Sequence, residues 1–225
     1  MKKNLYLTLL LLAAQIACAA PNDKLVDDWI AAQASAHAWK ADFKQIRELK
    51  ALTQPLVATG KIWWVAPHDI RWEVQKPAPS IAVVEQDDLL VIFPKLKRAE
   101  KYSLAGLRSG PWKDLLGLLD TGFPRSRAQF EEQFLVKDVT PIPGGQRMIF
   151  QPKSALVQKY MPEVDIDVRT PDLALLATTM IFVDGSHLRN EFSNQERNPQ
   201  VDDALFHPTL GPEYKIIQPL SGVGQ

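Results

Sequence analysis

The turns between residues 38 and 93 constrain this chain more than any other feature. Trp39, Ala41, Phe43 and Gln45 alternate with Lys40, Asp42 and Lys44, the period-two pattern of a half-buried strand. Further strands are predicted over 60–66, 70–75, 80–85 and 89–93. The Pro67-His68-Asp69, Pro77–Pro79 and Gln86-Asp87-Asp88 connections between them are only turns. A parallel crossover needs a dozen or more residues, so these five strands must pair antiparallel.

The rest of the chain frames this sheet. Leu25, Val26, Trp29, Ile30 and Gln33 recur at helical spacing and predict a helix over about 23–37, with Asp27 and Asp28 towards its positive end. Gly110-Pro111 opens a compact, very apolar helix over 112–120, closed by Gly122, and a second short helix is predicted over 126–134. Strands resume over 134–138, 146–151, 164–169, 174–183 and 187–194, the last hairpin turning on Asp184-Gly185. A polar loop over 198–203 and extended pieces at 204–206 and 214–217 finish the chain. The expected architecture is mainly β: a bent, unclosed antiparallel barrel with short helices covering its concave side.

Lys2 and Lys3, the apolar run Leu5–Ala14 and the small residues Ala17-Cys18-Ala19 have the form of a secretory signal peptide cut after Ala19. The apolar run is shorter than the ~20 residues needed to span a bilayer. Residues 1–19 are thus expected to leave, and residues 20–225 to form one domain in the periplasm of a Gram-negative bacterium. The alternative is lipid attachment at Cys18, because Ala17 is suitably small, although no leucine stands three residues before the cysteine. Cys18 is the only cysteine, so the chain beyond the leader has no disulfide or thiolate chemistry.

Lysines and arginines balance aspartates and glutamates, 26 against 26, which argues against the concentrated basic surface a nucleic acid would require. His37, His68, His187 and His207 have no metal-ligand spacing. Asp165 and Asp167 alternate with Val164, Ile166 and Val168 and are expected on the solvent face of a strand. No phosphate-cradling glycine loop or nucleophile elbow is present. The expectation is a protein that is not an enzyme and has no metal and no cofactor.

Trp63, Trp64 and Trp72 fall within ten residues on adjoining strands. Alternation puts Ile62, Trp64 and Ala66 on one face and Lys61, Trp63 and Val65 on the other, so neither face is convincingly polar. Such a wall needs cover outside and something apolar within, either ordinary core or a cavity. Leu115, Leu116, Leu118 and Leu119 spread over more than half the circumference of the 112–120 helix. That stripe is wider than one-sided packing needs and suits a lid that also meets a lipid.

Several segments fall in a familiar order: Ala41-Asp42-Phe43-Lys44-Gln45, Gly60 through Pro67, Ile70-Arg71-Trp72-Glu73, Pro77, Leu89 through Pro94, Phe150-Gln151-Pro152-Lys153, Asp184-Gly185 and Asp203-Ala204-Leu205-Phe206. In this the chain resembles the LolA-like outer-membrane lipoprotein carriers over nearly its whole length beyond the leader. The resemblance implies an unclosed barrel of about eleven strands, a helical lid and an apolar cavity for acyl chains. Phe43, Ile62, Trp64, Ile70, Trp72, Val74, Leu90 and Ile92 are the expected cavity residues, and Leu115, Leu116, Leu118 and Leu119 the lid.

It also implies partners: an acylated lipoprotein as cargo, an inner-membrane ABC transporter as donor and an outer-membrane lipoprotein as acceptor, the carrier itself a monomer. A paralogue could instead take another envelope lipid or glycolipid from another exporter, or serve as an acceptor anchored through Cys18. Two positions depart from the family pattern. Ala66 stands where those carriers have an arginine that tethers the lid, and Asp87-Asp88 where an Asp-Gly turn is usual.

Overall fold

The computed structural model describes residues 21–104 and 124–219. Helix α1 (Pro21–Ala34) leads into β1 (Ala38–Glu48), β2 (Leu56–Val65), β3 (Asp69–Lys76), β4 (Ser80–Glu85), β5 (Asp88–Phe93) and β6 (Arg98–Ser103). Helix α2 (Arg127–Gln133) opens the second half, followed by β7 (Phe134–Ile142), β8 (Gly145–Pro152), helix α3 (Ala155–Gln158), β9 (Glu163–Arg169), β10 (Leu175–Ile181), β11 (His187–Arg197) and β12 (Lys215–Ile217). All twelve strands form one unclosed sheet in the order β12-β6-β5-β4-β3-β2-β1-β11-β10-β9-β8-β7. Every pairing is antiparallel except that of β12 with β6.

The expected bent, unclosed sheet is therefore present, with twelve strands instead of about eleven. Strand β6 carries no apolar alternation in its sequence Arg-Ala-Glu-Lys-Tyr-Ser, so periodicity gave it no signal. Residues 203–205 form a 3₁₀ turn rather than an extended piece, capped by Asp202 accepting from the Ala204 N–H at 3.0 Å. Helix α2 begins where Ser126 accepts from the Gln129 N–H at 3.2 Å, a standard N-cap.

Strand register divides the sheet into two faces. On the inner face Trp39, Ala41 and Phe43 of β1 lie opposite Trp64, Ile62 and Gly60 of β2, which lie opposite Ile70, Trp72 and Val74 of β3. Helices α1 and α2 pack on this same face. Trp29 of α1 is fully buried, edge-on to Phe130 at 5.7 Å and stacked with Phe150 at 6.1 Å; Phe130 in turn lies 5.2 Å from Phe134. Such ring pairs add ~0.5–1.5 kcal/mol each beyond the area they bury. Met148, Val164, Ile166 and Val168 complete this core.

The outer face of β3–β6 is covered by the chain that follows β11. Val83, Ile92 and Ala99 are buried there, as is Phe206. Arg71 Nη1 donates to the Leu205 carbonyl at 3.0 Å, and His207 lies 3.2 Å from both Glu85 and Asp203. This cover is why β4 reads apolar on both its faces.

The outer face of β8–β11 corrects one expectation. Asp165 and Asp167 are not solvated: they are 5% and 2% exposed. Arg147 grips both carboxylate oxygens of Asp167, Nε at 2.7 Å and Nη2 at 3.0 Å, and Arg189 Nη2 adds a third contact at 2.9 Å. Arg189 also donates to Thr179 Oγ1 at 3.0 Å. Arg147 from neighbouring β8 and Arg189 from β11, reaching across β10, thus fold over a polar stripe that alternation alone would assign to water. Burial opposes the charge on Asp167, but these hydrogen bonds win and hold its carboxyl below the ordinary range. For Asp165 burial wins, pushing it up to about 6, because Arg147 is 3.7 Å away and Oδ1 has no hydrogen-bond partner.

Candidate functional site

The inner face carries a continuous apolar wall. Six of the eight expected cavity residues, Phe43, Ile62, Trp64, Ile70, Trp72 and Val74, share it through the β1–β2–β3 register. Phe43 and Trp72 rings lie 4.3 Å apart, centroid to centroid. Leu90 and Ile92 point to the other face, which corrects their assignment to the cavity. The β4–β5 hairpin turns on Gln86 and Asp87, with Glu85 opposite Asp88, and this pairs Leu90 with Val83 and Ile92 with Ile81 on the outer side. Leu89 and Val91, opposite Val84 and Ala82, carry the wall across β5 instead. A one-residue choice of turn flips every side chain of a strand, so the sequence could not settle it.

The wall is graded across the strands, from β1 and β2 to β3. Trp64, Phe43 and Ile62 are buried under the helices, whereas Ile70, Trp72 and Val74 are only half-buried. A polar ladder runs beside it: Gln45 Nε2 donates to Asn190 Oδ1 at 3.0 Å, and Asn190 Nδ2 to Thr178 Oγ1 at 3.4 Å. Gly60 allows the β3 backbone at Glu73 and the Phe43 ring to come close to β2, and only a glycine fits there.

Ala66 packs against the core at the end of β2, and its N–H donates to the His37 carbonyl at 2.9 Å. Nearby stands an arginine that sequence reasoning missed. Arg125 lies 4.9 Å above the Trp64 ring, and its Nη1 donates to the carbonyls of Ala34 at 3.2 Å and Ala36 at 2.7 Å. It ties the start of the second half to the C-terminal end of α1 and to the wall, satisfying carbonyls that a helix end leaves open. No local motif marks it; only the tertiary fold does. The leucines expected in a lid, Leu115, Leu116, Leu118 and Leu119, lie outside the described residues.

Among the described residues the wall offers aromatic and aliphatic surface without an acid, base or nucleophile on it, so it suits holding an apolar chain. Among the described residues no group of His, Cys, Asp and Glu is placed to hold a metal ion. None of the helices there is long and apolar enough to cross a membrane.

The family model described as outer membrane lipoprotein carrier protein LolA matches residues 34–209. No curated protein sequence matches the chain. Among solved structures, an uncharacterized conserved protein from Thermus thermophilus is similar with a TM-score of 0.54 at 8% identity, covering 87% of this chain and 98% of that one. A LolA superfamily protein from Nitrosomonas europaea has a TM-score of 0.42 at 11% identity, covering 80% of this chain and 96% of that one. The Mycobacterium tuberculosis lipoprotein LppX has a TM-score of 0.44 at 10% identity over 80% of this chain and 97% of its own. With a family match spanning β1 to the C-terminal turn and the unclosed sheet to go with it, this chain belongs to the LolA family of outer membrane lipoprotein carrier proteins.

Proposed function

We propose that the protein is a periplasmic carrier that holds the acyl chains of a lipoprotein against the inner wall and moves them from the inner to the outer membrane. The observation that carries this reading is the half-buried row Ile70, Trp72 and Val74. It extends a fully buried aromatic core into a region with apolar side chains still open to contact. Each methylene removed from water is worth ~0.8 kcal/mol, so an acyl chain would not cross an aqueous space unaccompanied. Delivery also requires release, and a wall that is only partly enclosed limits the affinity. In this reading the donor is an inner-membrane ABC transporter and the acceptor an outer-membrane lipoprotein.

A second reading, a carrier of another envelope lipid delivered by another exporter, is favoured by Ala66, since the arginine expected there from the family pattern is missing. Native mass spectrometry of the protein isolated from its own periplasm separates the two. A co-purifying acylated protein supports the first and a free lipid the second. An empty protein that also fails to bind acyl probes would sink both. The mass of the mature N-terminus tests the third arrangement, an acceptor lipidated at Cys18.

A further inference from the structure

The strand ends gather into two rims of opposite character. The pairings Arg47↔Leu56, Thr59↔Lys76, Phe93↔Arg98, Ile181↔His187 and Ile181↔Glu163 bring the connections 49–55, 77–79, 94–97, 153–162 and 182–186 to one end of the sheet. The connections 66–68, 86–87, 143–144 and 170–174 lie at the other.

The first rim is apolar and basic together. Leu52, Leu56, Leu96, Tyr160 and Val183 are all exposed there, Leu96 by 64% and Val183 by 63%. Lys50, Lys95, Lys153 and Lys159 stand among them with no ion pair among the described residues, and Lys97 meets Glu213 at 3.3 Å. Besides Glu213, the acids Glu48, Glu132, Glu163 and Asp184 stand nearby. The second rim carries Asp69, Asp87, Asp88 and Asp172 instead, and its cations Lys101 and Arg169 are bound to Asp88 at 2.8 Å and Asp172 at 2.6 Å. Between the two rims, lysines without an ion pair among the described residues thus stand at the end that carries the apolar tips.

We propose that the first rim docks on the surface of an anionic lipid bilayer, its leucine, valine and tyrosine tips entering the interface while its lysines meet lipid phosphates. Exposed apolar tips and unpaired lysines together fit such a surface: the tips gain burial, and long ammonium side chains reach headgroups from the side. An acidic protein face would satisfy the lysines but not five apolar tips dispersed over four connections. The wall also points this way. Val74 lies two residues from Lys76 at this rim, whereas Arg125 and the C-terminal end of α1 stand at the Trp64 end. Docking would therefore turn the Val74 end of the wall towards the membrane, a consequence for loading that rests on the carrier reading, although docking itself does not.

The test is flotation of the full chain with vesicles of phosphatidylcholine alone, and of phosphatidylcholine with roughly a third phosphatidylglycerol. Binding is expected only to the second and should fall as salt rises. Each lysine reversed should weaken partitioning by about fivefold or more, so Lys50→Glu/Lys95→Glu/Lys159→Glu together should lose roughly a hundredfold. Lys101→Glu on the opposite rim should change nothing, and Leu52→Ser/Val183→Ser should weaken binding while keeping its salt dependence. Equal binding to neutral vesicles, or a triple variant that binds like the parent, overturns the proposal. Binding of an acyl probe in vesicle-free solution reads the carrier function separately. A chain that takes the probe but ignores vesicles keeps the carrier and loses the docking, and the converse result does the reverse.

Discussion

Phe43 and Gly60 face each other across the β1–β2 ladder, and the phenyl ring occupies the space a side chain at position 60 would need. A Cβ placed on Gly60 would lie 2.9 Å from Phe43 Cζ and 1.9 Å from the Glu73 carbonyl oxygen. The second contact is with backbone, which cannot move without disturbing β3. Gly60→Ala should therefore destabilise the fold by about 2–4 kcal/mol, the range of severe overpacking. Urea denaturation of the two proteins checks it, and a loss under about half a kcal/mol would show that the three strands can separate more easily than their register suggests.

Trp72 is the half-buried member of the same cluster, 4.3 Å from Phe43. Trp72→Glu should fold, because Trp72 is only half-buried, yet place a carboxylate on the wall where an acyl chain would lie. Affinity for a fluorescent fatty-acyl probe should fall by about tenfold or more, since burying an unpaired charge against apolar surface is costly. Full retention of probe binding and cargo transfer would mean that Trp72 does not line the binding surface.

The two buried aspartates should respond oppositely to pH. The folded-state value of Asp165 is raised to about 6 from 3.8, so it costs stability as pH rises from about 4 to about 6 and keeps that cost above. Asp165→Asn should therefore stabilise the protein at pH 7 by about 1–3 kcal/mol and leave it little changed near pH 4. Asp167 is lowered by its arginines, so its contribution is present above the unfolded value and is lost as pH falls. Asp167→Asn should be destabilising at pH 7 by about 2–4 kcal/mol, leaving Arg147 and Arg189 short of a partner. Thermal melts of both variants across pH 4–7 make the comparison, and parallel curves would contradict it.

Arg125 joins a cation–aromatic contact to two carbonyl hydrogen bonds. Arg125→Ala should lower stability by about 1–3 kcal/mol, and Arg125→Lys should recover only part, because an ammonium lacks the planar fork that stacks on Trp64 while donating sideways. A change in Trp64 fluorescence in both variants should accompany the loss. Equal melting temperatures for all three proteins would assign Arg125 no part in holding the wall.

The antiparallel first half was legible because turns as short as Pro67-His68-Asp69 leave no other topology, and the inner face of β2 and β3 followed from alternation. Three things were not legible, each for a non-local reason. The face of Leu90 and Ile92 depends on where a two-residue turn closes. The burial of Asp165 and Asp167 depends on arginines about 20 residues away, one on the adjacent strand β8 and one on β11 beyond β10. Strand β6 exists because β5 and β12 offer it hydrogen bonds, not because its residues alternate. The wall itself was visible, whereas Arg125, which reaches carbonyls some 90 residues earlier in the chain, was not.

The pairing of β1 with β11 has a kinetic consequence. These neighbours join the two halves of the sheet, and a contact such as Gln45 with Asn190 spans 145 residues. Closing a loop of that length costs on the order of 4 kcal/mol in chain entropy before any contact repays it. The hairpins of each half can assemble early, but the junction must wait until β11 has emerged and found an edge made long before. Until then both junction edges stay unpaired and open to other chains. Slow maturation, and a window of vulnerability to aggregation during it, are thus properties of where the first strand sits in the sheet.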